Sequence, residues 1–167
     1  NPWIIPAGAG DAFGTMGCQG LITSEELEHP WDAVVVSAGT GATAAGIALG
    51  LRGLSHLFVG SALKGVDMGN LILERLDNAL MDSRWATEIM EEVTPWHDVH
   101  QGGFGKIPTK VEAFMDQFQT ETGIELDGVY TAKTMLKLQA ILQTPSAKRP
   151  EQFDQGSRVL FVHTGGV

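Results

Sequence analysis

The sequence predicts an α/β fold: a mostly parallel sheet with helices on both faces. Three observations carry this expectation. Ala33-Val34-Val35-Val36-Ser37, His56-Leu57-Phe58-Val59-Gly60 and Val159-Leu160-Phe161-Val162 are short, continuous apolar runs. Strands buried on both faces of a parallel sheet have this pattern, whereas half-exposed strands alternate. Thr43 to Leu51 reads as a helix between the first two runs, so strand, helix and strand follow within about 30 residues, the spacing of a βαβ unit. Such a crossover is expected to be right-handed.

Taken in order, Trp3-Ile4-Ile5 reads as a short strand ended by Pro6, with Gly8 and Gly10 behind it. Asp11 to about Ile22 reads as a helix despite its glycines, and His29-Pro30 as a break. After the βαβ unit, Asn70 to Leu80 and Arg84 to Glu92 are helical segments. Thr109-Lys110-Val111-Glu112 has the pattern of a capping box, in which hydroxyl and carboxylate each satisfy an orphan amide. Val111, Phe114, Met115 and Phe118 then repeat at i, i+3, i+4, i+7, and Gly123 closes that helix. Thr131 to Leu142 is a further helix, and Thr144 to Gly156 a polar loop.

The 167 residues suit one α/β segment over 1–167. Twenty acidic against 11 basic residues give a net charge of −9. That excess argues against nucleic acid, whose phosphates need a basic patch, and against docking on anionic lipid. Ala33 to Leu51 carries no charge, but Gly39, Gly41, Gly46 and Gly50 interrupt it. It therefore reads as strand, turn and helix rather than a membrane span. The single Cys18 excludes an intrachain disulfide and suits a reducing, cytoplasmic setting. His97 and His100 have no third ligand nearby in sequence, so no metal site is expected.

Glycine is over-used, at 21 residues, against a usual share of roughly 7%. The sharpest cluster is Ser37-Ala38-Gly39-Thr40-Gly41-Ala42-Thr43-Ala44-Ala45-Gly46. It joins a buried strand to a helix. Unpaired amides at the helix start and the helix dipole both favour an anion there, so a phosphate is the natural guest and a structural turn the alternative. Gly39 to Ala44 also satisfies G-x-G-x-x-A, a dinucleotide fingerprint. That reading needs an acid at the end of the next strand, where Gly60 and Ser61 stand. No Walker-type Gly-Lys-Ser/Thr follows either, so a monophosphate is the better fit.

Two other segments stand out. His100-Gln101-Gly102-Gly103-Phe104-Gly105-Lys106 either presents Phe104 to a flat ligand or tucks it into the core. Asp127-Gly128-Val129-Tyr130-Thr131 carries the chain's one Tyr at a loop-to-helix junction, where Thr131 can serve as the N-cap. The six lysines are Lys64, Lys106, Lys110, Lys133, Lys137 and Lys148, none in an evident nucleophile turn.

In this order and spacing, these segments resemble the pyridoxal-phosphate enzymes of the tryptophan-synthase-beta-like group, fold type II. The branch they resemble most is that of 1-aminocyclopropane-1-carboxylate deaminase and D-cysteine desulfhydrase. The matching stretches are Ile4-Ile5-Pro6-Ala7-Gly8, Ala38 to Thr43 with Ala45-Gly46, Leu63-Lys64-Gly65, His100 to Lys106, Thr122-Gly123-Ile124, Val129 to Lys133 and Val162 to Gly166. The resemblance implies pyridoxal 5'-phosphate as cofactor, with Gly39, Thr40, Gly41, Ala42 and Thr43 at its phosphate. It puts Tyr130 against the pyridine ring, Thr131 at the ring nitrogen and Phe104 on the substrate side. At the position of Thr131, deaminase-type members usually have Glu and desulfhydrase-like members Thr. At the position of Phe104 the family commonly has Tyr, with a phenol that Phe lacks.

The resemblance further implies a small amino acid as substrate and a homodimer. The family's Schiff-base lysine lies upstream of the matched segments and has no counterpart here, so no catalytic residue is assigned. The chain is accordingly expected to be the C-terminal part of the large domain, without its N-terminal part and small domain, and inactive alone. A non-catalytic phosphate-ligand or partner-binding module is the second expectation, and an NAD(P)-binding domain the third.

Overall fold

The computed structural model describes residues 2 and 4–165. Four strands, β1 (Ala33–Ala38), β2 (His56–Ser61), β3 (Val93–Trp96) and β4 (Val159–Val162), form one sheet in the order β3-β2-β1-β4. All three pairings are parallel, with Val34 opposite both Leu57 and Leu160, and Phe58 opposite Thr94. The helices are α1 (Ala12–Cys18), α2 (Ser24–Glu28), α3 (Ala42–Leu51), α4 (Met68–Leu80), α5 (Ser83–Met90), α6 (Thr109–Thr122) and α7 (Thr131–Leu142).

Side chains of a strand alternate between faces, and here both faces are covered. Val34, Val36, Leu57 and Val59 pack with Ile47 and Leu51 of α3 and Ile72 and Leu76 of α4. Ala33, Val35 and Phe58 pack on the opposite face with Trp96, Val99, Leu138 of α7 and Phe153. This is why the strand runs are unbroken by polar residues. Nine of the ten residues of α3 are buried, Thr43 excepted, because α1 covers the side of it that the sheet leaves free. Glycine permits that crossing: a Cβ on Gly46 would stand 2.3 Å from the carbonyl oxygen of Thr15 and 2.5 Å from Cβ of Cys18.

Several elements differ from the sequence expectation. Trp3 lies outside the described residues. Ile4 and Ile5 form no strand and are exposed; without a neighbouring strand to take its backbone groups, an apolar pair has no reason to be extended sheet. The helix expected to run from Asp11 to Ile22 ends at Cys18 and continues as a 3₁₀ turn over Gln19–Leu21. The capping box at Thr109 is not formed. Pro108 is the N-cap residue, its carbonyl accepting from Val111 and Glu112, so Thr109 is already inside the helix. The capping box lies instead at Thr23 and Glu26, opening α2, and the bond from the Thr23 hydroxyl holds the Glu26 carboxyl below its ordinary range. The sequence reading missed β3 because Thr94-Pro95 interrupts its apolar character. Proline removes a ladder donor and is tolerated at a sheet edge, where β3 stands.

At the start of α5, one oxygen of Asp82 accepts from the amides of both Arg84 and Trp85, at 3.1 Å each. Asp82→Ala is expected to cost about 1 kcal/mol, the usual loss for an N-cap of this kind. The check is a lower urea midpoint at unchanged slope.

Candidate functional site

All four strands point the same way, so the loops after them open on one side of the sheet. From β1 the chain steps to β2 and then β3, while β4 lies on the other side of β1. In such a sheet the crevice outside the carboxyl ends of the strands, where the order reverses, is where ligands bind. The loop after β1 is Gly39-Thr40-Gly41. Gly41 has φ +80°, in the left-handed region, and stands as the N-cap of α3 without a side-chain cap. The first amides of α3 therefore keep their hydrogen-bonding capacity at the positive end of the helix dipole.

Tyr130, at the start of α7, lies on this loop. A Cβ built on Gly39 would come within 3.1 Å of Cε1 and 3.2 Å of the phenolic oxygen of Tyr130. Phe104 stands edge-on to Tyr130, with ring centroids 5.9 Å apart and an angle of 68°. Phe104 is 59% exposed, so the ring is presented to solvent and not tucked into the core. The burial of Tyr130, and then the charge of Asp127, push its phenol above the ordinary pKa.

No family model matches the chain. Over its whole length the chain is 32% identical, across 170 residues, to a protein of Pyrococcus horikoshii provisionally named 1-aminocyclopropane-1-carboxylate deaminase, and spans 50% of that protein. All of it also superposes on the crystal structure of an ACC deaminase homologue, with a TM-score of 0.72 and 26% identity, over 50% of that chain. The chain resembles deaminase homologues along its whole length. It spans about half the length of each.

At the carboxyl end of β1 the structure brings together Gly39, Thr40, Gly41, the start of α3 at Ala42, Tyr130 and Phe104. The hydroxyls of two further expected residues have partners within the chain. The Thr43 hydroxyl faces α1, with Sγ of Cys18 at 3.9 Å, which leaves its backbone amide to the loop. The Thr131 hydroxyl is fully buried and donates to a carboxylate oxygen of Asp127 at 2.7 Å.

Three further residues support the site, and the sequence pattern assigned a role to none of them. Asp127 organises the turn that leads into α7, whose N-cap residue is Tyr130, by accepting from the amides of Val129, Tyr130 and Thr131 at 2.8 to 2.9 Å. Arg75 of α4 donates its Nε–H to the Thr40 carbonyl at 3.2 Å and so braces the loop; nothing in its local sequence marks it. Lys133 is fully buried and donates to the carbonyls of His100 and Gly103, at 3.1 Å each. Burial lowers its pKa below the ordinary lysine value, and the charge of Asp127 partly offsets this. A groove of about 720 Å³ lies apart from this site, between α1, α3, α4 and α5, lined by Met16, Leu49, Leu80, Trp85 and Ile89 among others.

Proposed function

We propose that this chain is the phosphate- and ring-binding part of a pyridoxal-phosphate enzyme of the deaminase and D-cysteine desulfhydrase branch. It corresponds to the C-terminal portion of the large domain. The observation that carries this reading is the Tyr130 ring lying on Gly39, beside the glycine turn and the uncapped start of α3. One site thus offers amide donors for a phosphate and an aromatic wall for a flat ring.

The residues present fit pyridoxal phosphate. The backbone of Gly39, Thr40 and Gly41 and the amides of Ala42 and Thr43 would hold the phosphate, and the neutral Tyr130 would flank the ring. The cofactor, when bound, supplies an electron sink for the α-carbon of an amino acid. Thr131 is the proposed partner of the ring nitrogen, which means exchanging its bond to Asp127. A hydroxyl stabilises a protonated ring nitrogen less than a carboxylate does, so Thr131 favours a desulfhydrase-like elimination over ring-opening deamination. Phe104, without a phenol, can pack against a substrate but cannot move a proton.

None of the six lysines is proposed to carry the cofactor, and Lys133 is turned to the carbonyls of His100 and Gly103. The substrate class is a small amino acid, the assembly a homodimer and the setting the cytoplasm. By itself the chain is proposed to bind without catalysing. A dinucleotide suits the site less well. β2 ends in Gly60-Ser61, and the next acid, Asp67, is taken up as the cap of α4, accepting from the Asn70 amide at 3.1 Å. The test is equilibrium dialysis of the chain with pyridoxal phosphate and with NADPH. Saturable binding of pyridoxal phosphate, displaced by inorganic phosphate, is expected. Binding of NADPH alone would overturn the reading.

A further inference from the structure

The aromatic loop and the helix carrying Tyr130 come from distant parts of the chain, and one buried charge joins them. His100 to Lys106 is folded as two consecutive turns. The Gly103 amide donates to the His100 carbonyl at 3.1 Å, and the Lys106 amide to the Gly103 carbonyl at 3.3 Å. Gln101, Gly102, Gly103 and Gly105 all have positive φ, at 50°, 103°, 132° and 72°. The two carbonyls that close these turns are the two that accept from the Lys133 ammonium. Phe104 sits just after the second of them. Lys133 is one turn of α7 beyond Tyr130. No carboxylate forms an ion pair with Lys133 among the described residues, so its burial is compensated chiefly by those two carbonyls. Leaving an ammonium in such a place is costly unless the bonds are made.

We propose that Lys133 is a positioning residue: its ammonium clamps both turns of the glycine loop and thereby holds Phe104 edge-on to Tyr130. This deepens the cofactor reading, because it rests on taking Tyr130 and Phe104 as the two aromatic groups that a bound ring and its substrate meet. The geometry suits a clamp better than a nucleophile, since two of the three ammonium hydrogens point at backbone oxygens of the loop.

The test is Lys133→Met, which keeps an unbranched apolar stem and removes all three donors. The 167-residue chain is labelled with 4-fluorophenylalanine, and the Phe104 resonance is identified with Phe104→Leu. In the wild-type chain that resonance should be displaced by the Tyr130 ring and lose the displacement in Tyr130→Leu. Lys133→Met should lose it equally, and the amides of Gly103 and Lys106 should exchange at least about tenfold faster, while those of Val35 and Val36 change less than about twofold. A fluorine resonance and loop protection that survive Lys133→Met would overturn the proposal. Should that variant fail to fold, the wild-type lysine ammonium spectrum decides. One slowly exchanging ammonium, coupled through its hydrogen bonds to the His100 and Gly103 carbonyls, supports the clamp, and six fast ammonium groups refute it.

These readouts need no cofactor, so failure to bind pyridoxal phosphate would remove the cofactor reading alone. If the cofactor binds, Lys133→Met should weaken pyridoxal phosphate and leave inorganic phosphate unchanged, a split that general destabilisation would not produce. Equal loss of both would count against the clamp.

Discussion

Gly39→Val is expected to weaken pyridoxal phosphate binding by at least about tenfold, or roughly 1.4 kcal/mol, without unfolding the chain. Gly39 has no positive φ among those of the chain, so the backbone accepts another residue there and the effect is steric. The new Cβ would stand 3.1 Å from the nearest atom of the Tyr130 ring, and the further methyl groups of valine would displace the ring from the loop. Gly39→Val should therefore be read against Gly53→Ala. Gly53 also lies in a loop, and a Cβ there meets nothing within 4 Å, though its φ of +72° makes that change a mild stability cost. Dialysis with pyridoxal phosphate should separate the two. Equal affinities for both variants would show that the Tyr130–Gly39 contact is not part of the binding site.

Gly46→Val is expected to destabilise the chain strongly, by about 3 kcal/mol, as overpacking of a rigid contact costs. The neighbour that its Cβ would meet at 2.3 Å is a backbone oxygen, that of Thr15, which no rotamer change can move. α1 must lift from α3, exposing most of the buried helix that forms the middle layer on that face. Gly17→Ala supplies the contrast within the same helix pair. A Cβ there meets nothing within 4 Å, and alanine is preferred over glycine in a helix interior by roughly 0.5 to 1 kcal/mol. Urea midpoints should move in opposite directions for the two variants. A neutral Gly46→Val would mean that α1 does not sit on α3 as described.

The sheet was legible in the sequence wherever burial on both faces left an uninterrupted apolar run, as in β1, β2 and β4. It was not legible at β3, where an edge position tolerates Thr94 and Pro95. Capping patterns misled at Thr109 and were overlooked at Thr23, because four residues that spell a box do not say which residue leaves the helix. Ile4 and Ile5 show the converse: apolar residues with no neighbouring strand among the described residues do not make one. Within the site, glycines marked the loop after β1, and the resemblance marked Tyr130 and Phe104. Lys133 and Arg75 were invisible as site residues for a simple reason. Arg75 and Lys133 hold backbone oxygens 35 and 33 residues away, and a carbonyl leaves no trace in a sequence pattern. Thr131 is the first residue of α7 and not its N-cap, which is Tyr130, and its hydroxyl donates to Asp127.

The most direct test of the cofactor assignment is amide shift mapping of the chain with pyridoxamine 5'-phosphate. This compound has the phosphate and ring of the cofactor but no aldehyde, so it reports the binding site without reaction at any lysine. Saturable shifts at the amides of Gly39 to Ala44, together with Phe104 and Tyr130, are the expected result. Shifts confined to the groove around Arg52, Trp85 and Ile89, or none at millimolar ligand, would contradict the assignment.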